Sequence, residues 1–377
     1  MSADFSPASP TIPTDPSSPP RDVGRPAARS RGRALVWALT LAVPAGLSIV
    51  AAVAFGPAHI GLADVGHALL HRLGGAAVEP GAASWQETVI WSIRLPRALL
   101  GFAVGGALAL TGTALQGLFR NPLAEPSILG VSAGASLGAV VTIFFGLAAR
   151  AVWLLPAGAF AGAALTAFVV LGLAARSGRG EIFTTTMLLV GVAVGALSIS
   201  FTTFLLSISL SSYDVGRQVI HWILGGLDGR TWDHALLAAP PILVGGAAIL
   251  LHARELDALL LGEVTAQSIG VDVPRVRMVL VLSTSLLIGA AVAAAGPIGF
   301  VGLLVPHILR LVVGPTHHAL LPAAFFGGGI FVVLADLAAR TLLTPMEIPV
   351  GVVTAAVGAP FFLALLVRRR PEASSAG

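Results

Sequence analysis

The sequence predicts an all-α polytopic membrane protein with about ten transmembrane helices, and three observations predict it. The 377-residue chain is 56% hydrophobic and 11% charged, with a mean hydropathy of +0.90, whereas soluble domains carry about 25% charged residues. Apolar runs of roughly 20 residues recur, each long enough to cross a hydrocarbon core of about 30 Å. No series of short alternating segments suggests a β-barrel.

The apolar runs fall at about 34–55, 97–119, 127–147, 151–175 and 187–208, then 234–251, 278–296, a shorter 298–313, 320–338 and 348–367. Glycines within them, as at Gly105-Gly106 and Gly327-Gly328-Gly329, mark faces where helices can approach closely. Residues 1–33 are Pro, Ser and Arg rich and read as a disordered cytoplasmic arm. They precede a membrane domain over 34–368 and a short tail over 369–377. No cleavable leader is expected before residue 34, so the first span itself would direct insertion. An even number of spans places both termini on one side. Fifteen of the 22 arginines then share the terminal side and seven lie opposite, so the termini are expected in the cytoplasm of a bacterial inner membrane.

Composition excludes several chemistries. There is no cysteine, hence no disulfide, thiolate metal site or iron–sulfur cluster. There is no lysine either, and a nucleotide-binding P-loop needs one to reach the phosphates. ATP hydrolysis must therefore occur on another subunit. The positive charge is set by topology and gives no reason to expect nucleic acid. His67 and His71 have a metal-pair spacing, but no third ligand is evident, so no metal site is expected. His221 and His307 read as lone structural residues. No catalytic triad or carboxylate pair can be argued from spacing. Every acid falls in a loop or near a span end, with Asp336 the deepest. Proton-driven carriers hold ionisable groups at depth, so this distribution favours an external energy source.

Four polar stretches stand out. HARELDALLLGEVTAQSIGVDVPRVR (252–277) interrupts two apolar runs on the inner side. Gly262 and Gly270 bound a short helix from Glu263 to about Ile269. Ala266, three residues after Glu263, gives it a small face suited to a groove on a partner, although a solvated loop with one helical turn fits equally. RLPR places Arg94 and Arg97 outside the second span, and Arg340 lies outside the ninth. These could meet an acidic protein or anchor lipid headgroups. FTTT (183–186) opens the fifth span, either as a helix cap or as a polar constriction. RNPLAEPSILG (120–130) makes a tight inner turn. Pro306 is expected to interrupt the eighth span, and broken backbone at depth points to a translocation path. Short amphipathic helices are expected around 63–73 and within 209–233, the latter with Trp222 and Trp232 at interface depth. The second and seventh spans both follow an Arg-Pro or Pro-Arg entry, so a duplicated five-helix unit is conceivable.

The segments RLPRALLGFAVGGALALTGTALQGLFRNPLAEPSILGVSAGASLG (94–138), GPIGFVGLLVPHILRLVVG (296–314) and LADLAARTLLTPMEIPVGVVTAAVGAPFFLALL (334–366) resemble the FecCD-type permeases. These are the membrane subunits of ATP-binding-cassette importers for ferric siderophores, haem and cobalamin. The resemblance covers about residues 35–368 and implies the ten-helix permease fold of that family. It further implies a permease dimer, expected to be of two identical chains, two cytoplasmic ATPases carrying ATP and magnesium, and a periplasmic binding protein. No cofactor or catalytic residue is implied in this chain. Carried over, Gly262, Glu263, Ala266 and Gly270 match the ATPase-coupling segment. Arg94, Arg97 and Arg340 match the binding-protein docking arginines, Thr184 and Thr185 the cytoplasmic gate, and Asn121, Pro122 and Glu125 the adjoining inner turn. An iron chelate, siderophore or haem, is the first expectation for the cargo, with cobalamin as the alternative and an ion-coupled secondary transporter as the reading from another class.

Overall fold

The computed structural model describes residues 26–57, 60–73, 85–177 and 181–368. The expected arm before residue 26 and the tail from 369 lie outside the described residues. The described chain is helical throughout, with no strand among the described residues. Helix α1 (Pro26–Ala54) begins eight residues before the first apolar run, and α2 (Leu62–Leu73) and the single turn α3 (Trp85–Val89) follow. Next come α4 (Leu95–Leu118), α5 (Val131–Phe144), α6 (Leu154–Arg176), α7 (Glu181–Ser209) and the amphipathic α8 (Tyr213–Leu224). The second half holds α9 (Trp232–Leu251), α10 (Ala253–Leu260), α11 (Glu263–Ser268), α12 (Val273–Ala295), α13 (Val301–Val313), α14 (His317–Thr341) and α15 (Val350–Arg368).

Each apolar run is helical. Among the described residues six helices are long and apolar enough to cross a membrane, and 39–54, α5, α13 and 350–365 form shorter apolar helices. The short ones matter: α5 spans 14 residues and α13 spans 13, about 20 Å at 1.5 Å per residue, too little for a 30 Å core. Both begin inside the bundle.

Helices α4 and α12 form the interior and are buried along most of their length, whereas α6, α7 and α9 face outward. In α12 a proline sits in the first turn, where a missing N–H costs nothing; α4 instead continues from a π-helical turn at Ile90–Arg94, just before Pro96. Close packing depends on glycine. A Cβ on Gly105 would lie 2.2 Å from the carbonyl oxygen of Gly328, and one on Gly328 equally close to that of Gly105. Helices α4 and α14 thus touch backbone to backbone through the glycine runs singled out in the sequence. Pairs Gly134–Gly162 and Gly138–Gly158 join α5 to α6 in the same way.

Trp222 is buried against α5, and the Arg230 guanidinium lies 5.3 Å from its ring. Trp232 Nε1 donates to the Trp91 carbonyl at 2.8 Å. Among the described residues no group of three potential ligands could hold a metal. His71 instead lies 3.5 Å from Glu87.

Candidate functional site

A cavity of about 600 Å³ lies between α5, α7 and Pro297, just after α12. Its wall is mainly apolar, with Val192, Ile199, Leu206 and Ile223, and carries the hydroxyls of Ser127, Ser132 and Ser136 before and along α5 and of Thr202 and Thr203 on α7. No charged side chain lines it. The wall is shaped by backbone: Gly130 sits at φ 71°, and a Cβ there would fall 2.4 Å from the Gly191 carbonyl oxygen. Glycine alone satisfies both the left-handed angle and that contact. Gly191 lies ten residues inside α7, about 15 Å from its start. The turn 120–130 therefore packs against the body of α7 rather than against its end.

A second break lies opposite. Helix α12 ends at Ala295, and α13 starts at Val301 after Phe300 at φ 67°. Gly302 abuts Gly112 of α4 and Pro126, about 9 Å along the axis from the end of α4. The break expected at Pro306 is thus displaced to 296–300, and the helix runs on through Pro306. Proline lacks the N–H that would bond the carbonyl four residues earlier. That carbonyl, on Gly302, accepts instead from Gln116 Nε2 at 3.3 Å, and Arg310 Nη2 donates to Gln116 Oε1 at 3.0 Å.

Glu125 lies in the loop before α5, its Oε1 accepting the Phe300 N–H at 2.9 Å. Asp336 is buried within α14. Both carboxylates accept from internal donors. The inner turn is ordered by its own bonds: Asn121 Oδ1 accepts from the Leu123 N–H at 2.9 Å, and Pro122 is half-buried. Thr185 is exposed in the first turn of α7, while the side chain of Thr184 lies outside the described residues.

At the inner end, Gly262 (φ 106°) and Gly270 (φ 91°) bracket α11. Glu263 pairs with Arg277 in the first turns of α12, and that guanidinium lies 5.4 Å from the Phe183 ring. The small face turns inward: Ala266 is fully buried. The outward face is apolar instead, with Leu261, Val264 and Ile269 exposed, Val264 at 81%. Asp257 of α10 binds the start of α14, where its Oδ1 accepts the His317 N–H at 2.7 Å and lies 2.8 Å from Nδ1.

At the other end, Arg94, Arg97 and Arg340 come together, but buried. Arg94 Nη1 donates to the Val53 and Ala54 carbonyls at 2.8 Å, and Arg340 donates to that of Ala52. These are terminal carbonyls of α1, which lack helical partners and carry the negative end of its dipole. Arg97 clasps Asp336 at 2.8–3.1 Å and Glu347 at 2.9 Å. The arginines therefore knit α1, α4 and α14 together. Nearby, burial pushes the Arg230 guanidinium down to about 10, with the negative charge of Asp228 opposing the shift, so it stays cationic at neutral pH. Sequence reasoning missed the internal partners Gln116, Asp257, Arg277, His317 and Glu347. Only the surplus of outer arginines hinted that hidden acids compensate them.

Six long apolar helices, shorter apolar helices among them and an uncharged cavity between α5 and α7 are the features of a multi-pass membrane protein with an internal path. The chain belongs to the FecCD transport family, whose model matches residues 44–368. It is 45% identical over 298 residues to the cobalamin import system permease protein BtuC of Halobacterium salinarum, covering 79% of this chain and 78% of that one. It is 41% identical to the vitamin B12 import system permease protein BtuC of Salmonella paratyphi A, covering 75% and 84%. The uncharacterised ABC transporter permease protein YvrB of Bacillus subtilis is 37% identical over 86% of this chain and 91% of its own. A solved structure assigned to the metal-chelate type of ABC transporter, in an inward-facing conformation, superposes with a TM-score of 0.76 at 28% identity. It covers 88% of this chain and 98% of that one.

Proposed function

We propose that this chain is the permease subunit of an ATP-binding-cassette importer for a cobalamin-type corrinoid. The observation that carries the reading is its 45% and 41% identity to permeases named for cobalamin and vitamin B12 import. The iron chelate expected first is displaced by the alternative. The uncharged, hydroxyl-bearing cavity supports the same cargo. A large chelate of low net charge loses little in such a mainly apolar, uncharged wall, whereas a polyanionic one would lose its hydration without a countercharge.

Leu261, Val264 and Ile269 form the apolar face that an ATPase would cover, and buried Ala266 lets α11 seat closely on its own chain. Glu263–Arg277 carries a push on α11 into α12, and Asp257–His317 carries it into α14. Gly262 and Gly270 supply the turns. Thr184, Thr185 and the turn through Asn121, Pro122 and Glu125 act as the cytoplasmic gate. A second copy of the permease covers the outward faces of α7 and α15, and two ATPases bring ATP and magnesium. A periplasmic binding protein docks at the Arg94, Arg97 and Arg340 end. That docking uses the surface the cluster organises, since the guanidinium groups are largely turned inward. Both termini are cytoplasmic, in the inner membrane.

The test is uptake into proteoliposomes holding the permease with its ATPase and binding protein. Cyanocobalamin should accumulate only with ATP inside the compartment that holds the ATPase. Accumulation that persists without ATP and collapses with a proton gradient would establish the secondary-transporter class instead. Equal uptake of a ferric siderophore would overturn the corrinoid assignment.

A further inference from the structure

Two polar side chains bracket the inner turn, and both bind the same helical turn. Gln116 lies before the turn in α4 and donates to the Gly302 carbonyl. Glu125 lies after it and accepts the Phe300 N–H. Between them the turn is braced: the Asn121 N–H donates to the Gln116 carbonyl at 3.2 Å, and the Ala124 N–H to the Asn121 carbonyl at 3.0 Å. Ala124 is buried, whereas Asn121 and Leu123 face outward. The segment is a stiff staple with both legs in the start of α13.

The two bonds exist for a reason set by the backbone. Phe300 caps the start of α13, so its N–H has no helical partner, and the Gly302 carbonyl has lost its partner to Pro306. Each such group left unsatisfied inside the bundle costs free energy. Glu125 and Gln116 supply the missing acceptor and donor. Glu125 is followed at once by Pro126 and by Ser127 on the cavity wall, and Phe300 follows the cavity residue Pro297 by three positions. The bond between them therefore joins the two breaks that shape the cavity.

We infer that Glu125 is a positioning residue that locks the gate turn 119–125 to α13, so that turn and helix move as one body and both cavity breaks shift together. The lock rests on the importer reading for its purpose, but its existence does not depend on that reading. Glu125 needs only its carbonyl-type oxygen for this role, so glutamine should serve and alanine should not.

The native chain has no cysteine, so reporter thiols can be placed at will. Spin labels at L123C and I308C, both exposed positions on the turn and on α13, should give one narrow distance distribution in nanodiscs. E125A should broaden or split it, and E125Q should restore it. An unchanged narrow distribution in E125A overturns the lock, whatever the transported molecule. In the complete complex, cyanocobalamin taken up per ATP hydrolysed should fall about tenfold in E125A, the loss expected when a buried donor is left unpaired, and recover in E125Q. Coupling in E125A within twofold of the parent overturns the positioning role. If E125A fails to accumulate, E125D, which retracts the carboxylate by one methylene, replaces it in both measurements, and the same two results support or overturn the lock. If the unsubstituted complex shows no ATP-driven uptake, the importer reading fails while the distance measurement still decides the lock.

Discussion

Arg97 and Asp336 offer the sharpest test of how the outer end is built. Three N–H···O contacts of 2.8–3.1 Å join them, and both side chains are less than a tenth exposed. Removing one member of a buried pair costs about 3–5 kcal/mol, because the other charge is left uncompensated. In R97L the remaining cation near Asp336 is Arg340, whose Nε is 3.6 Å away, so the lower end, about 3 kcal/mol, applies. In D336L, Arg97 keeps Glu347, which is one-third exposed, and about 2–3 kcal/mol is expected. Asp228 adds little, being 3.9 Å away and more than half exposed. The double variant buries no charge at this position and should lose only about 1–2 kcal/mol, as apolar replacement of a whole pair is often close to neutral. The coupling energy should thus be at least about 3 kcal/mol. Equilibrium unfolding in mixed micelles, followed by helicity across the four-variant cycle, measures it. Additive single losses with coupling under about 0.5 kcal/mol would refute the buried-pair reasoning. Normal stability with weakened binding-protein docking would return these arginines to a purely external role.

Other outcomes follow from the same geometry. V264D adds a charge to the most exposed residue of α11. It should weaken ATPase co-purification at least about tenfold by burying that charge in an apolar interface, while leaving the unfolding midpoint of the chain unchanged. G105L forces side-chain atoms into the Gly328 backbone and should cost several kcal/mol, about 3 or more, by overpacking, seen as loss of folded protein in membranes. G46A, where a Cβ meets nothing within 4 Å in α1, should be neutral or stabilise by about 0.5–1 kcal/mol through helix propensity. S132D or S136D should lower cyanocobalamin uptake by about tenfold or more, since an unpaired carboxylate in an otherwise uncharged wall is poorly solvated.

Much of the architecture was legible in the chain as written. Apolar runs located the helices because a bilayer filters for length and polarity more strictly than water does. Glycine runs at 105–106 and 327–329 marked the α4–α14 contact because only residues without a Cβ permit that approach. Missing lysine and cysteine excluded whole chemistries before any fold was known. Depth and partnership were decided only in three dimensions. The turn at 120–130 looked like an ordinary connection, since its composition is that of a loop at any height. It packs against the body of α7 because Gly130 docks on Gly191, a contact between residues 61 positions apart in the sequence. Outer arginines looked free because Asp336 and the α1 carbonyls that hold them are remote in sequence. Ala266 looked like a contact face because a small residue suits either side of a helix, and only packing turned it inward. One-dimensional periodicity reports what a segment can bury; which neighbour it meets, and how deep, depends on long-range closure that no local pattern records.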